Sequence, residues 1–333
     1  MTATSIQPPP NAASERSRQP APSISIVVPV YNSEPTLPAL IERLEPVLRK
    51  IASAFEVILV NDGSRDQSWL VASDLAQNNS FVRAMNLMRN YGQHNALLAG
   101  IRSARHEIII TLDDDLQNPP EEIPHLLAQI NGGYDVVYGV PEHERHGLLR
   151  DVASQVTKLT LQSAMGAETA RKISAFRAFR TDLRDAFQDY RGSFVSIDVL
   201  LTWATTRFTA VTVRHDPRSA GVSNYTLRKL IIHALNLMTG FSTMPLQIAS
   251  LVGFACTLLG LLVLLYVVGR FIIEGGSVPG FPFLASIIAV FSGAQLFALG
   301  IIGEYLARVH FRMMDKPSYT IRENSAARVK QHD

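Results

Sequence analysis

From Ile24 onward the chain alternates short apolar runs rich in Val and Ile with longer segments in which apolar residues recur every three or four positions. The runs at residues 25–29, 55–60, 82–87, 107–112 and 134–138 predict strands, several of them apolar enough to be buried on both faces. Between them the spacing predicts helices over residues 34–51, 67–77, 93–105 and 121–130. Buried strands alternating with helices build an α/β, mostly parallel sheet, and such sheets bind ligands beyond the carboxyl ends of their strands. Chemistry is therefore to be sought just after each apolar run.

The pattern changes beyond Pro245. Residues 246–273 are an apolar stretch of about 28 residues with Arg270 near its end, and residues 283–305 are a second of about 23, each long enough to cross a bilayer. Gly275, Gly276, Pro279, Gly280 and Pro282 supply a turn between them, so the pattern predicts a two-helix transmembrane hairpin. The alternative, a hairpin buried in a soluble core, is disfavoured by runs this long with so little charge. Arg228 and Lys229 precede the first stretch, Arg308, Arg312 and Lys316 follow the second, and the turn carries Glu274 but no Lys or Arg. The positive-inside rule then puts both flanks and both termini in the cytoplasm, with Arg270 snorkelling to the far interface.

Residues 227–241 mix Leu230, Ile231, Leu235 and Met238 with Arg228, Lys229 and His233, the composition of a helix lying among lipid headgroups. At the other end, residues 1–22 are rich in Pro and small polar residues, which predicts a disordered tail without the apolar core of a secretory signal. The expected plan is a tail (1–22), an α/β domain (23–224), an interfacial helix (225–244), two spans (245–307) and a cytoplasmic C-terminal segment (308–333). Composition narrows the function further. The single cysteine, Cys256, excludes a disulfide scaffold and a multi-thiolate metal site, and a net charge of +2 makes no case for nucleic acid.

The strongest chemical signal is Asp113-Asp114-Asp115-Leu116-Gln117 directly after an apolar strand. Three adjacent carboxylates repel one another, and a divalent cation neutralises them; hard oxygen donors suit Mg²⁺ or Mn²⁺ bridging to substrate phosphates. Read alone, the segment is equally an acidic turn before a helix that starts near Asn118-Pro119. Two further strand ends favour the metal: Val60-Asn61-Asp62-Gly63-Ser64, which sets Asp62 where a base or ribose would lie, and Pro29-Val30-Tyr31-Asn32-Ser33-Glu34, with a ring and a carboxylate. Each is also good turn or cap chemistry on its own. Together they outline a site for a nucleotide diphosphate.

The segments VPVYNSE, VNDGS and DDDLQNPPEE resemble the nucleotide-sugar-binding motifs of glycosyltransferase family 2, whose fold is of the GT-A type. RNYGQHNALLAG, TLDDDLQNPPEEIP and GIIGEYLAR, with the helical hairpin, are similar to its polyprenyl-phosphate glycosyltransferases, and the resemblance runs from Ser25 to about Tyr319. It implies Asp115 and Gln117 as ligands of Mg²⁺ or Mn²⁺, and Asp113 and Asp114 as neighbours of nucleotide and sugar. It implies Pro29, Tyr31, Glu34 and Asp62 as contacts to base and ribose, and Arg177 and Arg191, with Ser193 or Ser196, as ligands of the acceptor phosphate. The basic residues Arg171, Lys172, Arg180 and Arg184 lie close to these and equally describe a charged surface.

The implied enzyme transfers one sugar, with inversion, from a UDP-linked donor to undecaprenyl phosphate at a bacterial inner membrane, as a homo-oligomer, a tetramer by resemblance. A GDP-mannose-dependent mannosyltransferase and a non-catalytic scaffold are the alternatives. A lipid monophosphate has a second pKa of about 6 and is substantially dianionic near neutral pH, so no strong general base is needed. Some positions depart from the pattern: Asn61 stands where relatives often carry Asp, Asp114 replaces a small residue, and Asn224 replaces a usual Lys. Gly192 replaces the Trp of processive synthases, which argues against processivity. Residues 319–321 are expected to form a short strand that pairs with another subunit.

Overall fold

The computed structural model describes residues 21–141, 173–192, 195–216, 244–274 and 280–326. The expected interfacial helix up to residue 243, all but the last two residues of the expected tail, the turn at 275–279, Ser193 and Asn224 lie outside them. Among these residues eight strands form one sheet: β1 (Ser23–Val30), β2 (Ala54–Asn61), β3 (Val82–Leu87), β4 (Ile108–Thr111), β5 (Val136–Pro141), β6 (Arg177–Arg180), β7 (Phe208–Val213) and β8 (Ile321–Ala326). Their order is β7-β5-β6-β4-β1-β2-β3-β8. The β4-β1-β2-β3 centre is wholly parallel, whereas β6 runs antiparallel between β4 and β5, and β8 antiparallel along β3.

The first five strands lie where the apolar runs predict them. Around the sheet pack α1 (Leu37–Ile51), α2 (Ser68–Asn78), α3 (Gln93–Ser103), α4 (Ile123–Asn131) and α5 (Ile197–Ala204). In α1 the buried residues Leu37, Leu40, Ile41, Leu44 and Leu48 form one face, and Arg49 and Lys50 complement the carbonyl end of the helix dipole. Both faces of the sheet are covered. Ile24, Ile26, Val28 and Val30 join one core cluster with α1, α2 and α4, while Val27, Ile58 and Val60 join the other with α3 and α5. That two-sided burial is why these strands read as continuous apolar runs. The order also places β1 between β4 and β2, the point where successive crossovers leave in opposite directions and a crevice opens at the carboxyl ends.

Two long helices follow, α6 (Met244–Glu274) and α7 (Phe281–Met313), packed against each other. Leu246–Arg270 and Val290–Ala307 are long and apolar enough to cross a membrane, and of their described side chains Ala249 alone is buried within the protein. Leu251, Phe254, Leu265 and Leu296 are all exposed, so the hairpin is not buried in a core formed by the described residues. Two expectations about the C-terminal segment need correction. The strand there begins at Ile321 rather than Tyr319, and it pairs with β3 of its own chain, with Asn86 opposite Glu323. Within the described part of the 308–333 segment, Ile321–Ala326 completes the sheet of the α/β domain.

Candidate active site

The carboxyl ends of β1, β2 and β4 and the loop after β3 meet in one pocket. It is lined by Pro29, Val30 and Tyr31, by Asp62, by Asn90, Gly92 and Gln93, and by Asp113, Asp114 and Asp115. Six of the residues singled out in the sequence are therefore brought together: Pro29, Tyr31, Asp62, Asp113, Asp114 and Asp115. Four carboxylates face this space, and among the described residues neither Lys nor Arg lines it. A nucleotide diphosphate, itself anionic, would be repelled without a cation.

Local structure explains how each carboxylate is presented. Leu116 has φ 62°, a left-handed conformation that costs a non-glycine residue about 1–2 kcal/mol. Its side chain is 8% exposed and belongs to the core, which holds the turn in place. The turn brings the Gln117 N–H to donate to Asp115 Oδ1 at 3.1 Å. Asp114 accepts hydrogen bonds from the Ser33 hydroxyl and the Tyr31 N–H. Its Oδ2 is buried without a hydrogen-bond partner among the described residues. Burial, with the charge of Asp115 beside it, pushes the Asp114 carboxyl up to about 6. Hard oxygen donors, an orphaned buried carboxylate oxygen and an excess of negative charge fit a divalent cation. Among the described residues no three His, Cys, Asp or Glu side chains form a ready-made cage, so such a cation would share its shell with phosphate and water, as Mg²⁺ commonly does.

Asp62 is 3% exposed, and its two oxygens accept from the Tyr91 N–H (2.7 Å) and the Gly92 N–H (2.8 Å). Burial raises its pKa more than these bonds lower it. It fixes the loop after β3 as well as lining the pocket. The close approach requires Gly63, at φ +64°, because a Cβ there would lie 2.5 Å from the Asn90 nitrogen. Gly92, at φ +95°, turns the same loop into α3. At the start of α3, Gln93 Nε2 donates to Asp113 Oδ1 at 2.8 Å. Asn90, Gly92 and Gln93 had no assigned role in the sequence, although the rule that led to β1, β2 and β4 applies equally to the segment after β3.

Other expected residues lie apart from the pocket. Glu34 turns toward α2, where its Oε2 accepts from the Gln67 N–H at 3.2 Å. Gln117 flanks the lining through its backbone bond to Asp115, while its carbonyl accepts from the Asp216 N–H. Arg177 is not on a surface: its side chain is 2% exposed, ion-paired to Asp198, with Nε donating to Thr111 Oγ1 at 3.1 Å. Tyr138 also donates to Asp198, at 3.0 Å, and burial together with the Asp198 charge raises the Tyr138 pKa well above its usual value. The fork expected to grip an acceptor phosphate is thus spent within the sheet, beneath the acidic loop. Ser196 is 4% exposed, just before α5. Arg191 is exposed and ion-paired to Asp315 at 2.7 Å, directly after α7.

Residues 25–188 match the family described as Glycosyl transferase family 2. The undecaprenyl-phosphate 4-deoxy-4-formamido-L-arabinose transferase of Yersinia pestis (strain Pestoides F) is 37% identical over 308 residues, which cover 92% of this chain and 94% of that protein. The transferase of the same name from Pectobacterium atrosepticum is 35% identical over the same shares. Among solved structures, glucosyl-3-phosphoglycerate synthase from Mycobacterium tuberculosis, in complex with Mn²⁺, UDP and glucosyl-3-phosphoglycerate, aligns with a TM-score of 0.47 and 18% identity, over 66% of this chain and 78% of that one. The matches to the two transferases are long enough to take in the C-terminal helices as well as the sheet. With its GT-A-like mixed sheet and acidic strand ends, the chain belongs to glycosyl transferase family 2 and is a glycosyltransferase.

Proposed function

We propose that the protein transfers a single sugar from a UDP-linked donor to a polyprenyl phosphate, undecaprenyl phosphate in a bacterial inner membrane. The reaction inverts the anomeric carbon and depends on Mg²⁺ or Mn²⁺. The observation that carries this reading is the pocket of four carboxylates, lined by no Lys or Arg among the described residues, on a chain that also holds two helices able to cross a bilayer. The relatives named above act on undecaprenyl phosphate by their names, which supports the acceptor.

Asp115 and the side chain of Gln117 would hold the cation, which when bound draws charge from the leaving diphosphate. Asp113, oriented by Gln93, and Asp114 face nucleotide and sugar, while Pro29 and Tyr31 flank the base. Arg191 stands on the face where the chain returns from α7, suited to receive a phosphate from the membrane side by exchanging it for Asp315. Arg177 acts instead as a brace, tying β6 and α5 to Thr111 at the end of β4. An acceptor that is already dianionic needs positioning rather than deprotonation, so the residues at the site bind and align rather than abstract a proton. The active site, the flanks of the hairpin and both termini face the cytoplasm, and the oligomer is a tetramer.

The test is transfer by the purified full-length protein from a panel of UDP- and GDP-sugars to undecaprenyl phosphate, with Mn²⁺ and with chelator. The expected product is an acid-labile lipid-phosphate monosaccharide made from a UDP-sugar only when the metal is present. Transfer from GDP-mannose would move the donor assignment, and no transfer from any donor would sink the reading. Arg191→Ala is expected to raise the KM for lipid phosphate more than that for the donor; an equal rise in both would place Arg191 elsewhere.

A further inference from the structure

A line of hydrogen bonds joins the C-terminal strand to the pocket, and each donor in it points the same way. The Asn32 N–H, next to Tyr31, donates to Ser64 Oγ at 3.0 Å, and the Ser64 hydroxyl donates to Asn61 Oδ1 at 2.6 Å. Asn61 Nδ2 donates to Asn86 Oδ1 at 2.8 Å, and Asn86 Nδ2 donates to Glu323 Oε1 at 3.1 Å. Chemistry fixes the direction. Asn61 Oδ1 receives both the Ser64 hydroxyl and, at 3.4 Å, the Ser64 N–H, so only its amide nitrogen is left for Asn86. Asn86 must then accept from Asn61 and turn its own nitrogen to Glu323, its direct cross-strand neighbour. Asn61 and Asn86 are 2% and 6% exposed, so the bond between them is closed off from water, while the line begins at the exposed Asn32 and ends on the exposed carboxylate of Glu323, which polarises it.

We infer that Glu323 is a positioning residue for the donor pocket: through Asn86, Asn61 and Ser64 it sets the loop that carries Tyr31. The inference also accounts for Asn at position 61. An aspartate there would make Asn86 turn its nitrogen toward residue 61 and present its oxygen to Glu323, acceptor against acceptor. Asn61 and Glu323 are therefore a matched pair, and the strand that follows the second long helix belongs to the donor site. The inference rests on the donor reading of the pocket proposed above, and the test separates the two.

The experiment compares full-length wild type, Glu323→Ala, Glu323→Gln, Asn61→Asp and the Asn61→Asp/Glu323→Gln double variant, in bilayer discs. Hydrogen exchange over residues 30–34 and 61–66 reads the line without any ligand, and titration with UDP and Mn²⁺ reads the pocket. Glu323→Ala is expected to speed exchange in both segments and to weaken UDP binding about three- to tenfold. Glu323→Gln, which keeps an acceptor oxygen, should restore most of both. Asn61→Asp should be impaired alone and recover when Gln at position 323 offers its amide to the turned Asn86. Unchanged exchange in Glu323→Ala, or an Asn61→Asp defect that the second substitution does not relieve, would overturn the inference. Absence of UDP binding by the wild type would instead overturn the proposed donor, with exchange still deciding the fate of the line.

Discussion

The two ends of the parallel sheet each bury a carboxylate, and they treat it in opposite ways. At the amino end, Glu56 is 5% exposed and fully partnered: Ser25 Oγ donates at 2.8 Å, Arg83 at 2.7 Å and the Arg105 N–H at 2.8 Å. Burial alone would raise its pKa, but these donors and the Arg83 charge leave it below the usual glutamate value. At the carboxyl end, Asp114 keeps one oxygen without a hydrogen-bond partner among the described residues and lies beside another carboxylate, and its pKa rises to about 6. One end is arranged so that the charge is satisfied within the fold. The other leaves charge unsatisfied, in wait for something from outside, which is the mark of a binding site on a stable scaffold.

The sharpest break of this comparison is removal of the acidic end. Asp115→Ala should lower transfer roughly a thousandfold or more, the loss of several kcal/mol of charge stabilisation, while the protein stays folded and membrane-bound. Full activity of that variant with metal added or chelated would erase the distinction between the two ends. Removing the satisfied carboxylate should do the reverse. Glu56→Ala strands Arg83, whose side chain is 22% exposed, and should lower unfolding stability by about 2–4 kcal/mol, with activity per folded molecule near wild type. Chemical denaturation in detergent measures the first and an active-site-normalised assay the second.

Gly63→Ala probes the close approach of the two loops. A Cβ at that position meets backbone of Arg89 and Asn90, so the variant should lose about 1–2 kcal/mol and raise the KM for the donor more than it lowers kcat. An unchanged KM would detach the loop after β3 from the donor. The smallest effect is a difference in pH dependence. The Asp114 pKa is raised, so its contribution to stability is present below 3.8 and is lost as pH rises toward about 6; the Glu56 pKa is lowered, so its contribution is present above 4.5 and is lost on acidification. Melting curves in chelator should therefore show Asp114→Asn gaining on wild type as pH rises from 3.8 toward about 6, and Glu56→Gln losing ground on wild type as pH rises toward 4.5. Parallel curves would mean the two ends do not differ in this way.

Much of this site was legible because its signals are local. β1, β2 and β4 announce themselves as apolar runs, and the residues just beyond them, Tyr31, Asp62 and Asp113 to Asp115, reach the pocket by the topology of a parallel sheet alone. What local signals did not reveal involves partners distant in sequence. Arg177 looks like a surface cation among other basic residues, and nothing local announces that Asp198 and Thr111 enclose it. β6 is only four residues long and begins and ends in arginine, so neither length nor periodicity marks it as a strand between β4 and β5. Glu34 has the right neighbours for a ligand, but Gln67 has the closer claim. The pairing of β8 with β3 spans more than two hundred residues, and sequence alone offered a strand there with another subunit as its partner.

That pairing also orders events while the protein is being made. A ribosome delivers β1 to β7 and then both long apolar helices before Ile321–Ala326 emerges. Through that interval β3 is an open edge, with backbone groups that any stray strand could claim. The final strand closes the sheet only after the hairpin has left the tunnel, so a nascent chain stalled inside the hairpin carries the acidic pocket but lacks the strand that seals its sheet.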